Sequence, residues 1–242
     1  MKLLAIESSG LVASAAVFAD DTIVAEFTVN NKQTHSQTLL PMIDQVVTMS
    51  GIDLKEIDAI ATTSGPGSFT GLRIGAATAK GLGLALHKPI VPITTLEALA
   101  FRLAGRDGNI CPMMDARRNQ VYAGVYRVGD MLLECVIGQK AVSIEDYIAE
   151  LNDLGDPVTV LGDGVPVHRE ALQQGLNVAW QEAPAHMNRQ SAASVAVLGA
   201  CYYDEGKIVS AEAFRPDYLR KSQAEREREA RLAAGEKHDR DE

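Results

Sequence analysis

The chain has 242 residues, 46% apolar and 23% charged, and its 32 acidic against 23 basic side chains leave a net charge of −9. That length can bury a sizeable core in one large domain or two small ones. No apolar run approaches the roughly 20 residues of a membrane helix, and Glu7 cuts the first apolar run too early for a secretory leader.

Residues 2–6 form a short apolar run that meets the polar turn Glu7-Ser8-Ser9-Gly10, the pattern of a buried strand reaching a surface loop. Residues 12–18 and 22–29 follow as two more strands around an Asp20-Asp21 turn. His35 to Met49 has helical spacing, with Leu39, Ile43 and Val46 on one side and Met42 and Met49 on another; Ser50-Gly51 ends it. A strand over 57–63 runs into a glycine-rich stretch that opens a helix to about Leu86. A strand over 90–92 and a helix over 96–104, capped by Thr95, complete this part.

Around Gly105–Gly108 the pattern restarts. Ile110–Met114 ends at Asp115 as residues 3–6 end at Glu7, and Val121–Tyr126 follows Asp115 as Ala13–Phe18 follows Glu7. A strand over 131–137 after a Gly129-Asp130 turn matches 22–29. Helices over 143–152 and 166–174 flank a strand over 158–161, and Ser191–Tyr203 is a last helix. This alternation predicts an α/β architecture of two duplicated lobes with mixed sheets flanked by helices. The expected boundaries are 1–105, 106–189 and a C-terminal segment 206–242, with the 190–205 helix packing back on the first lobe. From residue 220 onward seven basic and seven acidic side chains cancel, and pairs such as Glu227–Arg231 give slight helical support. The acidity therefore lies in the body. A body this acidic lacks the positive footprint of a nucleic-acid binder, so any RNA substrate needs another component to hold it.

The strongest local signal is Ser64-Gly-Pro-Gly-Ser-Phe-Thr-Gly-Leu-Arg-Ile-Gly75, a glycine-rich loop between a strand and a helix. Bare backbone and helix N-terminal amides suit an anion, which makes Gly65, Gly67 and Ser68 candidate ligand-binding residues. A tight turn explains the same glycines, and the stretch is neither a Walker loop nor a dinucleotide fingerprint. In the helix, Gly71, Gly75, Ala79 and Gly83 recur every four residues. Each helical glycine costs about 0.5–1 kcal/mol relative to alanine, so close approach to another element must offset it. That element is either part of the same lobe or a helix of another subunit. The two methionines Met42 and Met49, as adaptable apolar surface, fit partner docking.

Other chemistry is missing. His35, His87, His168, His186 and His238 form no His-x-x-x-His pair, and Cys111, Cys135 and Cys201 are scattered and odd in number. This speaks against a zinc site, a disulfide frame or a metallopeptidase, and for reduced thiols in a cytoplasm. Glu7 and Asp115 read equally as acid/base groups or as turn residues at strand ends. Arg117 and Arg118 would obstruct a nucleotide cleft or fill it with ion pairs.

Ala5-Ile-Glu-Ser-Ser9, Gly65 to Gly75, Asp115-Ala-Arg-Arg-Asn-Gln-Val-Tyr122 and Pro216-Asp-Tyr-Leu-Arg220 occur in this order in the TsaB (YeaZ) family, which the chain resembles over residues 1–220. The resemblance implies an actin-like ATPase fold. It implies a non-catalytic, scaffold role in placing threonylcarbamoyl on the adenosine beside the anticodon of tRNAs reading codons that begin with A. TsaD, which carries the metal site, would be the direct partner, TsaE a further one, and tRNA would be reached through the complex. Without TsaD a homodimer is implied. No cofactor is expected of the chain itself; ATP or ADP would sit at the TsaD junction. The implied contact helices match 35–49 and 71–86, with Leu39, Met42, Ile43, Val46 and Met49 on the first and Leu72, Gly75, Ala76, Ala79 and Gly83 on the second. Leucine at Ala79 or Gly75 should then abolish association and leave the lobe folded. The competing expectations are an active peptidase or small-molecule kinase, and an interaction module outside tRNA modification.

Overall fold

The computed structural model describes residues 1–31, 34–129 and 132–220. The first lobe contains β1 (Lys2–Glu7), β2 (Ala13–Ala19), β3 (Thr22–Val29), α1 (His35–Ser50), β4 (Ala59–Gly65), α2 (Phe69–Leu86), β5 (Ile90–Thr94) and α3 (Thr95–Phe101). The second contains β6 (Asn109–Arg117), β7 (Gln120–Gly129), β8 (Leu132–Ser143), α4 (Ile144–Leu154), β9 (Val158–Leu161), α5 (Gly164–Gly175), β10 (Trp180–Glu182) and α6 (Ala192–Asp204). Asp130, residue 131 and the tail after Arg220, with its Glu227–Arg231 pair, lie outside the described residues.

The two sheets have one topology. The first runs β3-β2-β1-β4-β5, with β1–β2 and β2–β3 antiparallel and β1–β4 and β4–β5 parallel. The second runs β8-β7-β6-β9-β10 with the same directions. Each lobe is therefore a βββαβαβα unit, the duplicated actin-like architecture.

Five layers result. β1 shows why: Leu3 and Ala5 point to one face, Leu4 and Ile6 to the other, and all four are fully buried. The outer face of the first sheet packs on α1 and α2, and the outer face of the second on α4 and α5. Between the sheets lie α3 and α6. α3 touches β6 and β7 as well as its own β4 and β5, and α6 lies across β1, β2, β4 and β5. After α6 the chain stays on the first lobe: Val209 and Ile90 exchange backbone hydrogen bonds of 2.9 Å, and Ala211 and Phe214 enter the core under α1 and α2.

Local details correct two expectations. Thr94, not Thr95, caps α3, its hydroxyl accepting from Glu97 N at 3.3 Å, because β5 extends through Thr94. Met42 is not on a separate face. Leu39, Met42, Ile43 and Val46 make one buried stripe at i, i+3, i+4 and i+7, so Met42 is core, and Met49 alone of the two methionines is exposed, at 72%.

Candidate functional site

The carboxyl ends of β1, β4, β6 and β9 converge on a cleft of about 480 Å³ between the lobes. Its first-lobe wall is the turn Ser9-Gly10-Leu11 with Gly67 to Thr70; its second-lobe wall is Met114 to Arg117, Tyr122, Asp163 and Val167, and Arg220 reaches it from the C-terminal segment.

Glu7 sits under the first wall. Its Oε1 accepts from Ser9 N (2.6 Å) and Ser9 Oγ (2.5 Å), whereas Oε2 is buried without a partner. Desolvation dominates, and the carboxyl is pushed up from 4.5 to about 7, with the Asp163 charge a lesser contribution in the same direction. Burial likewise raises Asp163, which accepts from Asp115 N at 3.3 Å. Asp115 in turn accepts from Arg117 N at 2.8 Å. His168 is buried on α5 with Nε2 unpartnered, 3.9 Å from Asp115 Oδ1. Asp163 is the functional candidate that sequence reasoning missed. Its signal is Gly162-Asp163-Gly164 directly after β9, the counterpart of Gly65-Pro66-Gly67 at the carboxyl end of β4.

The glycine-rich loop is packed against protein. A Cβ on Gly65 would lie 2.2 Å from Asp217 O, on Gly67 2.3 Å from Ser9 O, on Gly71 2.1 Å from Ser8 O and on Gly75 2.2 Å from Ser8 Oγ. Ser68 caps α2, its Oγ accepting from Gly71 N at 3.3 Å. Gly67 and Ser68 line the cleft and Gly65 does not, its free face being taken by Asp217. The close approach that these glycines permit is that of α2 to the turn after β1.

The same holds for the rest of the small-residue strip. Leu72, Gly75, Ala76, Ala79 and Gly83 are buried within the first lobe, and a Cβ on Gly83 would meet Ala211 Cβ at 2.9 Å. Leu39, Met42, Ile43 and Val46 are buried beside them. These nine residues form an internal seam, which corrects their assignment to a partner surface. Met49 alone of the ten points outward. The outward surface of the adjacent α1 and α2 is different: Leu40, Met49 and Leu84 are exposed, with Ala77, Gly81 and Ala85 giving α2 a second, outward run of small residues.

On the opposite wall Arg117, Arg118 and Asn119 all have left-handed backbones (φ 61°, 56° and 59°), an arrangement disfavoured for side chains larger than glycine. Asp115 holds its start, and its end is held by Ile144 N donating to Asn119 O (3.1 Å) and Asn119 Nδ2 donating to Glu145 (2.6 Å). Arg117 lines the cleft; Arg118 is exposed beside it. Among the described residues no three His, Cys, Asp or Glu side chains are grouped to hold a metal ion. Burial pushes the Cys111 thiol up to about 12, far from a thiolate nucleophile. No helix among the described residues is long and apolar enough to cross a membrane.

A family model described as TsaD, tRNA N6-adenosine threonylcarbamoyltransferase, matches residues 22–228. The tRNA threonylcarbamoyladenosine biosynthesis protein TsaB of Bacillus subtilis is 32% identical over 225 residues, spanning 93% of this chain and 96% of that one. The tRNA N6-adenosine threonylcarbamoyltransferase of Erythrobacter litoralis is 36% identical over 188 residues, covering 68% of this chain and 51% of the relative. The solved structure of YeaZ from Pseudomonas aeruginosa superposes with a TM-score of 0.78 at 27% identity, over 90% of this chain and 99% of that one. With this cleft, this duplicated topology and a relative matched from end to end, the chain belongs to the TsaB family of tRNA threonylcarbamoyladenosine biosynthesis proteins.

Proposed function

We propose that the chain is a non-catalytic subunit that a TsaD-type transferase requires to move threonylcarbamoyl onto N6 of the adenosine 3′ to the anticodon. The observation that carries this is the filling of the glycine-rich loop. An actin-like fold invites a nucleotide whose phosphates need bare backbone, and here the free faces of Gly65, Gly67, Gly71 and Gly75 are occupied by Asp217, Ser9 and Ser8. Packing within the protein thus accounts for these glycines without a nucleotide. Glu7 is buried and is not among the residues that line the cleft, so its carboxyl has no route to a substrate there.

The partner surface in this reading is the outward face of α1 and α2, with Met49 and Leu84 as apolar anchors and the Ala77–Gly81–Ala85 run as the site of close helix approach. The same face would join two copies in a homodimer when the transferase is absent. TsaE and any ATP or ADP would be met at the assembled junction, tRNA would be held by the complex, and the cytoplasm is the compartment this role requires. The acidic body supports indirect tRNA contact.

A leave-one-out reconstitution tests the reading: tRNA, threonine, bicarbonate, ATP, the adenylate-forming synthase, TsaD and TsaE, with and without this chain, the modified nucleoside being read by mass spectrometry. Product only with the chain present, and none from the chain without TsaD, is expected. Product regardless of the chain would overturn it.

A further inference from the structure

The C-terminal segment does more than finish the first lobe. Past Phe214, which is buried under α1 and α2, Lys80 Nζ donates to Glu212 O (3.1 Å) and Phe214 O (3.0 Å), fixing where the segment leaves that core. Asp217 N then donates to Ser64 O at 2.7 Å, and Asp217 O lies in the space that a side chain at Gly65 would need. Tyr218 stacks on Phe69 with ring centroids 4.3 Å apart, and the Arg73 guanidinium lies 4.2 Å from the same Phe69 ring. Two residues later Arg220 crosses to the other lobe, where Nη1 donates to Ala116 O at 2.7 Å. Ala116 directly precedes the left-handed run Arg117 to Asn119.

Five residues thus touch both walls of the cleft. We propose that Pro216–Arg220 is a clasp that ties the glycine-rich loop to the β6–β7 turn and fixes the opening between the lobes. The lobes already share α3 and α6 at the base; a second tie at the mouth removes the remaining hinge freedom, because opening would have to break the Arg220–Ala116 contact or pull Tyr218 off Phe69. The clasp also accounts for Gly65, whose φ of 129° and 2.2 Å clearance to Asp217 O exclude a side chain. It holds independently of whether the chain serves a transferase.

Hydrogen exchange read by mass spectrometry on the full chain and on Arg220→Ala, Tyr218→Ala and Tyr218→Phe tests the clasp. Arg220→Ala and Tyr218→Ala should each speed exchange about tenfold in both the 65–71 loop and the 116–119 turn, with α4 and α5 unchanged. Tyr218→Phe, which keeps the stacked ring, should stay at the parent rate. Faster exchange confined to 116–119 in Arg220→Ala, or no change in either segment, would overturn the proposal. If Tyr218→Ala loosens the whole first lobe, Arg220→Ala, whose side chain ends outside any core, decides alone.

Discussion

Replacing Glu7 by Gln should change how stability depends on pH more than stability itself. The carboxyl is fully buried, its Oε2 has no partner, and its pKa is raised from 4.5 to about 7. Below pH 4.5 the acid is neutral folded or unfolded and costs nothing. Between 4.5 and about 7 the unfolded chain ionises freely while the folded one resists, so stability is lost as pH rises through that window. About 2.5 units at 1.36 kcal/mol each come to about 3 kcal/mol by pH 8. Glutamine keeps an acceptor for the two Ser9 donors and cannot ionise, so it escapes the loss. Parent and Glu7→Gln should be unfolded thermally at about pH 4, below the window, and at about pH 8, above it. The variant should gain on the parent between the two by roughly 6–12 °C, the shift expected of about 3 kcal/mol in a chain of this size. Parallel pH profiles would show that Glu7 is not held neutral, and the account of the cleft floor would be wrong.

Leucine at Gly75 or Ala79 should destabilise the isolated chain by 3 kcal/mol or about that, since both positions are closed by the first lobe itself, and loss of soluble protein or a collapsed melting temperature should be seen where a surface role predicts a folded variant. Met49→Asp with Leu84→Asp should leave melting within about 2 °C of the parent yet weaken capture by TsaD roughly tenfold in a titration; undiminished capture would exclude the outward α1–α2 face. Tyr147→Phe should cost about 1–2 kcal/mol in denaturant unfolding, because Tyr147 Oη donates to Gly124 O at 2.8 Å in a fully buried setting and the carbonyl would be left unpaired.

The order of strands and helices was legible because burial imposes a period. β1 reads as a strand from residues 2–6, and α1 as a helix from Leu39, Ile43 and Val46, since each must hide one face or both. The restart near Gly105 was legible for the same reason, and the matching sheet orders follow it. β10 was not: three residues at a sheet edge carry no period. The side of α2 that its glycines face was also beyond reach. A bare strip says only that something comes close, and both the inward run ending at Gly83 and the outward run Ala77–Gly81–Ala85 satisfy it. The clasp escaped because its partners, Ser64, Phe69 and Ala116, are about 100 residues or more away along the chain, a distance that propensity and period do not span.

The placement of α6 and Phe214 has a consequence for synthesis on the ribosome. The first sheet emerges within the first hundred residues, but the helix that covers its inner face is Ala192–Asp204 and the side chain that completes its outer core is Phe214. During translation the second lobe can therefore close first, while Leu3, Ala5, Ala59 and Ala61 wait without their cover for about a further hundred codons. A premature stop between Glu182 and Ala192 leaves a chain whose oldest segment, not its newest, is the exposed and aggregation-prone one.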